Sequence, residues 1–197
     1  MIAKTRTIQM ALWALVALAL IAALWFGVLA PQLAPVGPGT IGRGDYRLVA
    51  SDGTAFTEET LQGTPSAVFF GFTHCPDVCP TTLGDIARWQ KALGEEGPIR
   101  AFFVTVDPER DTREVLADYI SWAPGVTGVT GSPSEIEKAV EAFRIYASKV
   151  PLDEGGYTME HSAMVLLFDE NGRFFESIGY HEDFDRAVDK IRRLMAG

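Results

Sequence analysis

The feature that most constrains this chain is an uncharged run near its N-terminus. Residues 10–30, MALWALVALALIAALWFGVLA, are 21 amino acids without a charged side chain. As a helix rising about 1.5 Å per residue, this run would span about 30 Å, the thickness of the hydrocarbon core of a bilayer. It is apolar on every face, whereas a surface helix of a globular domain keeps one polar face. The run therefore predicts a single transmembrane helix.

A cleaved signal peptide is the competing interpretation of this run. Signal peptides usually have a shorter apolar region followed by a small-x-small cleavage site. Here Pro31 follows at the point where cleavage would have to occur, and the aromatic pair Trp25 and Phe26 suits a membrane interface. An uncleaved anchor is favoured.

The charges on either side of the run predict its orientation. Lys4 and Arg6 precede it, and the next basic residue is Arg43. The positive-inside rule then places residues 1–9 in the cytoplasm and everything after the run outside. We expect a single-pass protein of the inner (cytoplasmic) membrane whose C-terminal domain lies in the periplasm or another extracytoplasmic space, where thiols can be oxidised.

The exported part divides into a linker and an acidic domain. Residues 31–44, PQLAPVGPGTIGRG, are rich in Pro and Gly and predict a linker. Residues 45–197 are long enough to bury a sizeable core. Without Lys4 and Arg6, 15 Lys and Arg stand against 26 Asp and Glu, a formal charge of −11. A domain of this charge argues against nucleic-acid binding.

Apolar patterns within the domain alternate between strand and helix periodicity. Continuous apolar runs predict buried strands at 66–73 and 99–106, and shorter strands are expected at 46–50, 126–130, 163–168 and 173–178. Helices are expected at 81–93, after capping boxes at 111–114 and 132–135, and from about residue 183. Residues 147–160 show no pattern and predict a loop. This order predicts an α/β fold, a thioredoxin-like mixed sheet flanked by helices.

The two cysteines of the chain, Cys75 and Cys79, lie in FTHCPDVCP, directly after the strand predicted at 66–73. As a structural disulfide they would close a very short loop, which should add only about 2 kcal/mol in the chain-entropy treatment. Their position before a helix expected to begin near residue 80 or 81 favours chemistry, because a helix N-terminus lowers the pKa of a thiol. The pair is then either a redox couple or part of a metal site.

Two thiolates need further ligands to hold most metals. Structural zinc normally takes four Cys and His ligands, whereas soft thiolates select Cu(I) and an added imidazole also suits Cu(II). His74 adjoins Cys75 and would point to the opposite face of the strand end. His181 is expected at the surface. His161, which closes the predicted loop before a buried strand, is the remaining candidate, although spacing alone leaves its ligation open.

Three other side chains are weaker candidates. Met159 and Met164 are alternative soft ligands, but Met164 is expected in the core and Met159 in loop packing. Asp77, between the cysteines, is expected to face solvent.

Four segments resemble the Sco/SenC family of membrane-anchored, thioredoxin-fold copper proteins that assist cytochrome c oxidase assembly. They are FGFTHCPDVCP at 70–80, VDPERDT at 106–112, EHSAMVLLFDENG at 160–172 and, more weakly, YRLVASDGTAFT at 46–57. The resemblance covers the anchor and nearly all of the exported domain. It implies that Cys75, Cys79 and His161 bind one copper ion, as Cu(I) or Cu(II). The VDPERDT segment is expected to be a strand end and helix cap near the site, without a catalytic role.

The resemblance implies two linked activities. One is a metallochaperone that passes copper to the binuclear copper site of cytochrome c oxidase subunit II, with a copper-donor protein as a candidate second partner. The other is a thiol–disulfide oxidoreductase that keeps the subunit II cysteines reduced, with Cys75 and Cys79 as the redox-active pair. Whether the chain is an enzyme stays open, because the same cysteines serve both activities. Copper needs His161, whereas dithiol exchange does not.

Overall fold

The computed structural model describes residues 2–25, 38–94, 97–153 and 155–197. These fall into two compact units, Met1–Gly37 and Pro38–Gly197. The first contains helix α1 (Ile2–Leu24), which begins eight residues before the predicted span. Within the described residues, no helix has both the length and the apolar character needed to cross a membrane. Residues 26–30 of the predicted span and 31–37 of the predicted linker lie outside the described residues. The anchor therefore stays a prediction.

The second unit is built on a mixed seven-stranded sheet. Its strands are β1 (Leu48–Ala50), β2 (Ala55–Phe56), β3 (Ser66–Gly71), β4 (Arg100–Thr105), β5 (Val126–Thr130), β8 (Val165–Phe168) and β9 (Phe174–Ile178). They lie in the order β2-β1-β5-β4-β3-β8-β9. The neighbours β3, β4 and β5 are parallel, and the other neighbouring pairs are antiparallel.

Helices cover both faces of this sheet. They are α2 (Val78–Leu93), α3 (Arg113–Tyr119), α4 (Pro133–Phe143) and α5 (Phe184–Ala196). On one face of β3, Phe70 packs against Phe143 of α4, with ring centroids 5.1 Å apart. On the other face, Gly71 lies directly against Cys79 of α2. The predicted fold class, a thioredoxin-like mixed sheet flanked by helices, is confirmed for this unit.

The core explains why β3 lies at the centre. All six of its residues are buried, and each large apolar side chain buried in this way contributes about 1.5–3 kcal/mol. The buried core runs from Tyr46 to Leu194, and the partly buried side chains packed on it lie between Ile41 and Met195. Residues 38–197 therefore contain their own core and can fold without the first unit.

The boundaries around the cysteines differ from those predicted. β3 ends at Gly71 rather than at residue 73, and α2 begins at Val78 rather than at 80 or 81. The earlier start is possible because the first four N–H groups of a helix have no partner within the helix, so Pro80 fits in the first turn without losing a hydrogen bond. Cys79 consequently lies in the first turn of α2 and does not precede it.

The loop predicted at 147–160 is wrong. β6 (Ala147–Pro151) and β7 (Tyr157–His161) form an antiparallel hairpin in a separate two-stranded sheet. Its turn contains Gly155 and Gly156, which both have positive φ. The pair of glycines after an acidic dipeptide was an available turn signal. It was missed because the flanking strands lack a regular apolar alternation, since only part of each faces the domain.

Candidate metal centre

Three side chains converge at one end of the sheet. Cys75 lies in the loop before α2, Cys79 in the first turn of α2, and His161 at the end of β7. Their ligand atoms all lie within 4.8 Å of one another, and Cys79 Sγ is 3.5 Å from His161 Nε2. Among the described residues, this is the one group of three or more His, Cys, Asp or Glu side chains arranged to hold a metal ion.

The helix start controls the charge of the cysteine pair. The backbone N–H of Cys79 donates a hydrogen bond to Cys75 Sγ, 3.3 Å away. Hydrogen bonds from the Cys79 thiol and from backbone N–H groups outweigh the effect of burial and lower the pKa of Cys75 to about 4. The Cys79 thiol is the donor in the side-chain hydrogen bond to Cys75. This bond, together with burial, raises the pKa of Cys79 far above its usual range. Cys75 is therefore the thiol that ionises first, while Cys79 retains its proton.

The ring of His161 has a defined tautomer. Its Nδ1 lies 3.0 Å from the carbonyl oxygen of Ser162, and because a carbonyl only accepts, Nδ1 carries the hydrogen. The lone pair of Nε2 then points toward Cys79. The rings of Phe69 and Phe72 pack edge-on at 6.2 and 5.8 Å and hold the imidazole in place. A hydrogen-bonded, tightly packed imidazole of this kind is a preorganised metal ligand.

This donor set fits copper. Bonds from first-row metals to thiolate and imidazole are about 2.3 and 2.0 Å, so two ligand atoms of one ion lie within roughly 4.6 Å of each other. The observed spread of up to 4.8 Å reaches this value with a small side-chain movement. Two sulfur atoms and one nitrogen are soft enough for Cu(I), and the imidazole extends the range to Cu(II).

The site opens to solvent on one side. A depression of about 480 Å³ is lined by residues that include Cys75, Pro76, Tyr146, Met159 and His161. Cys75 is 9% exposed and Cys79 is fully buried. An incoming molecule therefore meets Cys75 and His161 first.

A glycine makes room for the buried sulfur. A Cβ atom at Gly71 would lie 2.7 Å from Cys79 Sγ and 2.6 Å from the ring of Phe103. Real Cβ atoms essentially never approach so closely. Sequence reasoning included Gly71 in a motif but gave it no function.

Asp111 fixes the loop that carries Cys75. Its fully buried carboxylate accepts hydrogen bonds from the backbone N–H and the hydroxyl of Thr73, at 3.0 and 2.6 Å, and from the hydroxyl of Thr105, at 2.6 Å. The prediction that Asp111 caps the next helix is wrong, because the cap of α3 is Thr112, which accepts from the N–H of Val115. Hydrogen bonds donated by Thr73 and Thr105 stabilise the buried carboxylate of Asp111 more than capping a solvent-exposed helix end would.

The sequence model of the SCO1/SenC family matches residues 37–196. This chain belongs to the SCO1/SenC family. Human "Protein SCO2 homolog, mitochondrial" is 34% identical over 161 residues, which cover 79% of this chain and 60% of that protein. Yeast "Protein SCO1, mitochondrial" is 36% identical over 153 residues, which cover 75% of this chain and 52% of that protein. The SCO1/SenC chain described here thus spans between half and two thirds of the length of these relatives.

Two solved structures of relatives contain copper. ScoI of Bradyrhizobium japonicum with copper bound is 40% identical, covers 78% of this chain and 99% of that one, and superposes with a TM-score of 0.71. Yeast Sco1 with copper bound is 33% identical, covers 80% and 90%, and gives a TM-score of 0.73. The predicted family is confirmed, and the Cys-Cys-His group of this SCO1/SenC protein is one that could bind copper.

The other candidate residues are not members of this Cys-Cys-His group, although Met159 lines the same depression. His74 is exposed, with its Nδ1 3.1 Å from the hydroxyl of Thr73, and His181 is also exposed. Asp77 is exposed at the start of α2, as predicted. Met159 packs partly buried against the core. The prediction that Met164 is in the core is wrong, because it precedes β8 and is 38% exposed.

Proposed function

We propose that this SCO1/SenC protein is a membrane-anchored copper metallochaperone. It binds one copper ion through Cys75, Cys79 and His161 and delivers it to the binuclear copper site of cytochrome c oxidase subunit II. The observation that carries the proposal is the convergence of two unbridged thiols and one imidazole within 4.8 Å. Copper in two relatives of this fold supports the choice of metal.

The arrangement suits delivery better than permanent storage. Three protein ligands leave a coordination position for a ligand of the recipient, so copper can pass by stepwise exchange without leaving its ligands all at once. Cys75 and His161 line the open depression, whereas Cys79 is buried. A thiolate or imidazole of the recipient would therefore enter beside Cys75, with Cys79 as the innermost ligand to be exchanged.

The proposed location follows from the N-terminal run. Residues 10–30 anchor the protein in the inner membrane, residues 1–9 remain in the cytoplasm, and residues 31–37 connect the anchor to the copper-binding unit outside, which begins at Pro38 rather than at the predicted residue 45. The basic residues Lys4 and Arg6 before the run support this orientation. An anchored site would stay close to the membrane-embedded oxidase and to a copper-donor protein in the same compartment.

The test is a Cu(I) competition titration of the reduced 38–197 domain. The parent should bind one copper ion tightly, and Cys79→Ala and His161→Ala should each weaken binding by more than tenfold. His74→Ala and His181→Ala are the matched controls, because both imidazoles are exposed, and they should bind as the parent does. Parent-like copper binding by Cys79→Ala would overturn the ligand assignment.

The ionisation of the cysteine pair favours a second candidate, thiol–disulfide exchange. The Cys75 thiolate would attack a disulfide of the partner, forming a mixed disulfide and releasing one partner thiolate. Cys79, after losing its proton, would attack Cys75 Sγ, closing the Cys75–Cys79 disulfide and releasing the second partner thiolate. The two electrons gained by the partner come from the Cys75–Cys79 dithiol, and an external dithiol must then reduce the resulting Cys75–Cys79 disulfide.

The substitution His161→Ala distinguishes copper delivery from thiol–disulfide exchange. If His161→Ala leaves Cu(I) affinity unchanged but the reduced domain still reduces a disulfide peptide, the oxidoreductase is the main function. If His161→Ala abolishes tight copper binding while disulfide reduction by the parent is slow, copper delivery is the main function.

A further inference from the structure

The hairpin that carries His161 is separate from the main sheet. β6 and β7 form a two-stranded sheet of their own, and an isolated hairpin is marginally stable in water. At its base, Ser162 N–H donates to the Tyr146 carbonyl and Tyr146 N–H donates to the Ser162 hydroxyl, both at 3.0 Å. These bonds join the two strands of the hairpin to each other, so side-chain contacts must set its orientation against the domain.

Apolar packing beneath the hairpin is incomplete. A cavity of about 220 Å³ lies between the hairpin and α4, lined by residues that include Ala147, Met159, Ile136 and Val140. Side chains that face a void lose the dispersion contacts that would otherwise hold them. Close packing alone therefore does not fix the hairpin over the core.

Polar contacts hold the turn end instead. The hydroxyl of Tyr157 donates to the buried carboxylate of Asp107 at 2.8 Å. Arg110 pairs with the same carboxylate, lies 4.0 Å above the ring of Tyr157 and donates to the Tyr157 carbonyl oxygen at 3.1 Å. Lys149 covers the ring at 4.1 Å and is paired with Glu109 at 2.8 Å. Both ends of Tyr157 are thus held by the segment 107–110.

The position of His161 depends on the position of Tyr157, because both residues belong to the same strand. They lie four residues apart on β7, and because side chains alternate along a strand, both project from the same face. The segment 107–110 holds the hairpin at Tyr157, and the rings of Phe69 and Phe72 pack on His161, whose imidazole faces Cys79. Next to Arg110, Asp111 holds the loop of Cys75. The segment 107–111 thus contacts both the hairpin that carries His161 and the loop that carries Cys75.

We propose that Asp107 and Arg110 are positioning residues for His161, acting through Tyr157 to hold the imidazole at the copper site. This inference rests on the ligand set proposed above. Neither residue touches the metal ligands, so each changes copper binding only by changing where His161 lies. Changes to residues that position a metal ligand typically lower metal affinity by about 10- to 100-fold.

A double-mutant cycle tests this inference on the reduced 38–197 domain. Cu(I) affinity is measured for Arg110→Lys and Tyr157→Phe, each alone and combined with His161→Ala. Arg110→Lys keeps the charge but loses the planar fork, and we expect about tenfold weaker binding. Tyr157→Phe loses only the hydroxyl hydrogen bonds to Asp107 and Glu109 and should weaken binding less. In the His161→Ala background, neither change should weaken binding further, because the ligand that they position is absent.

The matched control is Arg173→Lys. It makes the same substitution in an exposed Arg–Asp pair at the β8–β9 turn, and copper affinity should not change. A metal-free readout comes from nuclear Overhauser contacts between the rings of His161 and Phe72, which are 5.8 Å apart. Arg110→Lys should weaken these contacts before any copper is added.

Each outcome has a distinct meaning. If His161→Ala weakens copper binding but Arg110→Lys and Tyr157→Phe do not, the positioning role is wrong and the ligand set stands. If Arg110→Lys weakens binding equally in both backgrounds, it acts on the cysteines or on overall stability, and the inference is also overturned. If His161→Ala itself has no effect, the proposed ligand set fails and the inference fails with it.

Discussion

Gly71 shows how a single missing side chain shapes the metal site. We expect Gly71→Ala to destabilise the domain by about 1–3 kcal/mol, because its Cβ must displace Cys79 or Phe103 in a packed core. Copper affinity should fall as Cys79 Sγ moves. Urea unfolding and Cu(I) titration measure the two effects.

The control for this change lies in α2. Gly84 has nothing within 4 Å of its Cβ position, so Gly84→Ala should keep copper affinity and stabilise the helix by up to about 1 kcal/mol. If the Gly71→Ala domain is as stable as the parent and its copper affinity is unchanged, a Cβ atom at residue 71 fits beside Cys79 Sγ without displacing it.

The charge state of Cys75 gives a second prediction at the scale of one residue. A thiol with a pKa of about 4 is almost fully ionised above pH 5.5, so its alkylation rate in the metal-free, reduced domain should be nearly constant from pH 5.5 to 8. An unperturbed thiol, with a pKa of about 8.5, would react about tenfold faster with each pH unit over this range.

Alkylation by iodoacetamide, followed by peptide mass spectrometry, separates Cys75 from the buried Cys79. Because the hydrogen bond from the Cys79 thiol is the largest cause of the low pKa of Cys75, Cys79→Ala should shift the onset of reactivity to higher pH. A tenfold rise per unit in the parent would contradict the thiolate assignment.

At the scale of the structural elements, hydrogen bonds to Asp111 connect the loop after β3 with the loop after β4. In Asp111→Asn, the amide offers one acceptor oxygen where the carboxylate offered two, and its NH₂ group faces hydrogen-bond donors. Unsatisfied buried groups of this kind cost about 1–3 kcal/mol, so the midpoint of urea unfolding should fall. Asp118→Asn, on the exposed face of α3, is the control and should leave stability unchanged. An unchanged midpoint for Asp111→Asn would mean that the two loops are held by other contacts.

The elements also show what a sequence can predict. Continuous apolar runs identified β3, β4 and β8, because burial on both faces leaves a local signature. The turn end of the β6–β7 hairpin depends on Tyr157, whose partner Asp107 lies 50 residues away. Asp111 likewise contacts Thr73 across 38 residues. Local patterns contain no information on such contacts, so the proposed metal ligands could be predicted from a motif, whereas the residues proposed to position them could not.

At the scale of the whole molecule, charge and anchoring have separate roles. The region after residue 37 contains 15 basic and 26 acidic residues, so an anionic lipid surface should repel it over about a Debye length. The domain thus has no electrostatic means of staying at a membrane, and the proposed anchor within residues 1–37 would have to supply any attachment. The proposed metal ligands all lie in the second unit, so attachment and copper affinity should be independent.

Deleting residues 1–37 tests this independence. The 38–197 domain should bind Cu(I) with the affinity of the full chain in detergent, yet remain in the supernatant when mixed with vesicles containing anionic lipid, whereas the full chain should sediment with them and resist carbonate extraction. In cells, the domain exported behind a cleavable signal should support less oxidase activity than the anchored chain, and added copper should partly restore it, because raising the supply compensates for lost proximity. Equal oxidase activity from both forms at low copper would show that the anchor is dispensable for delivery.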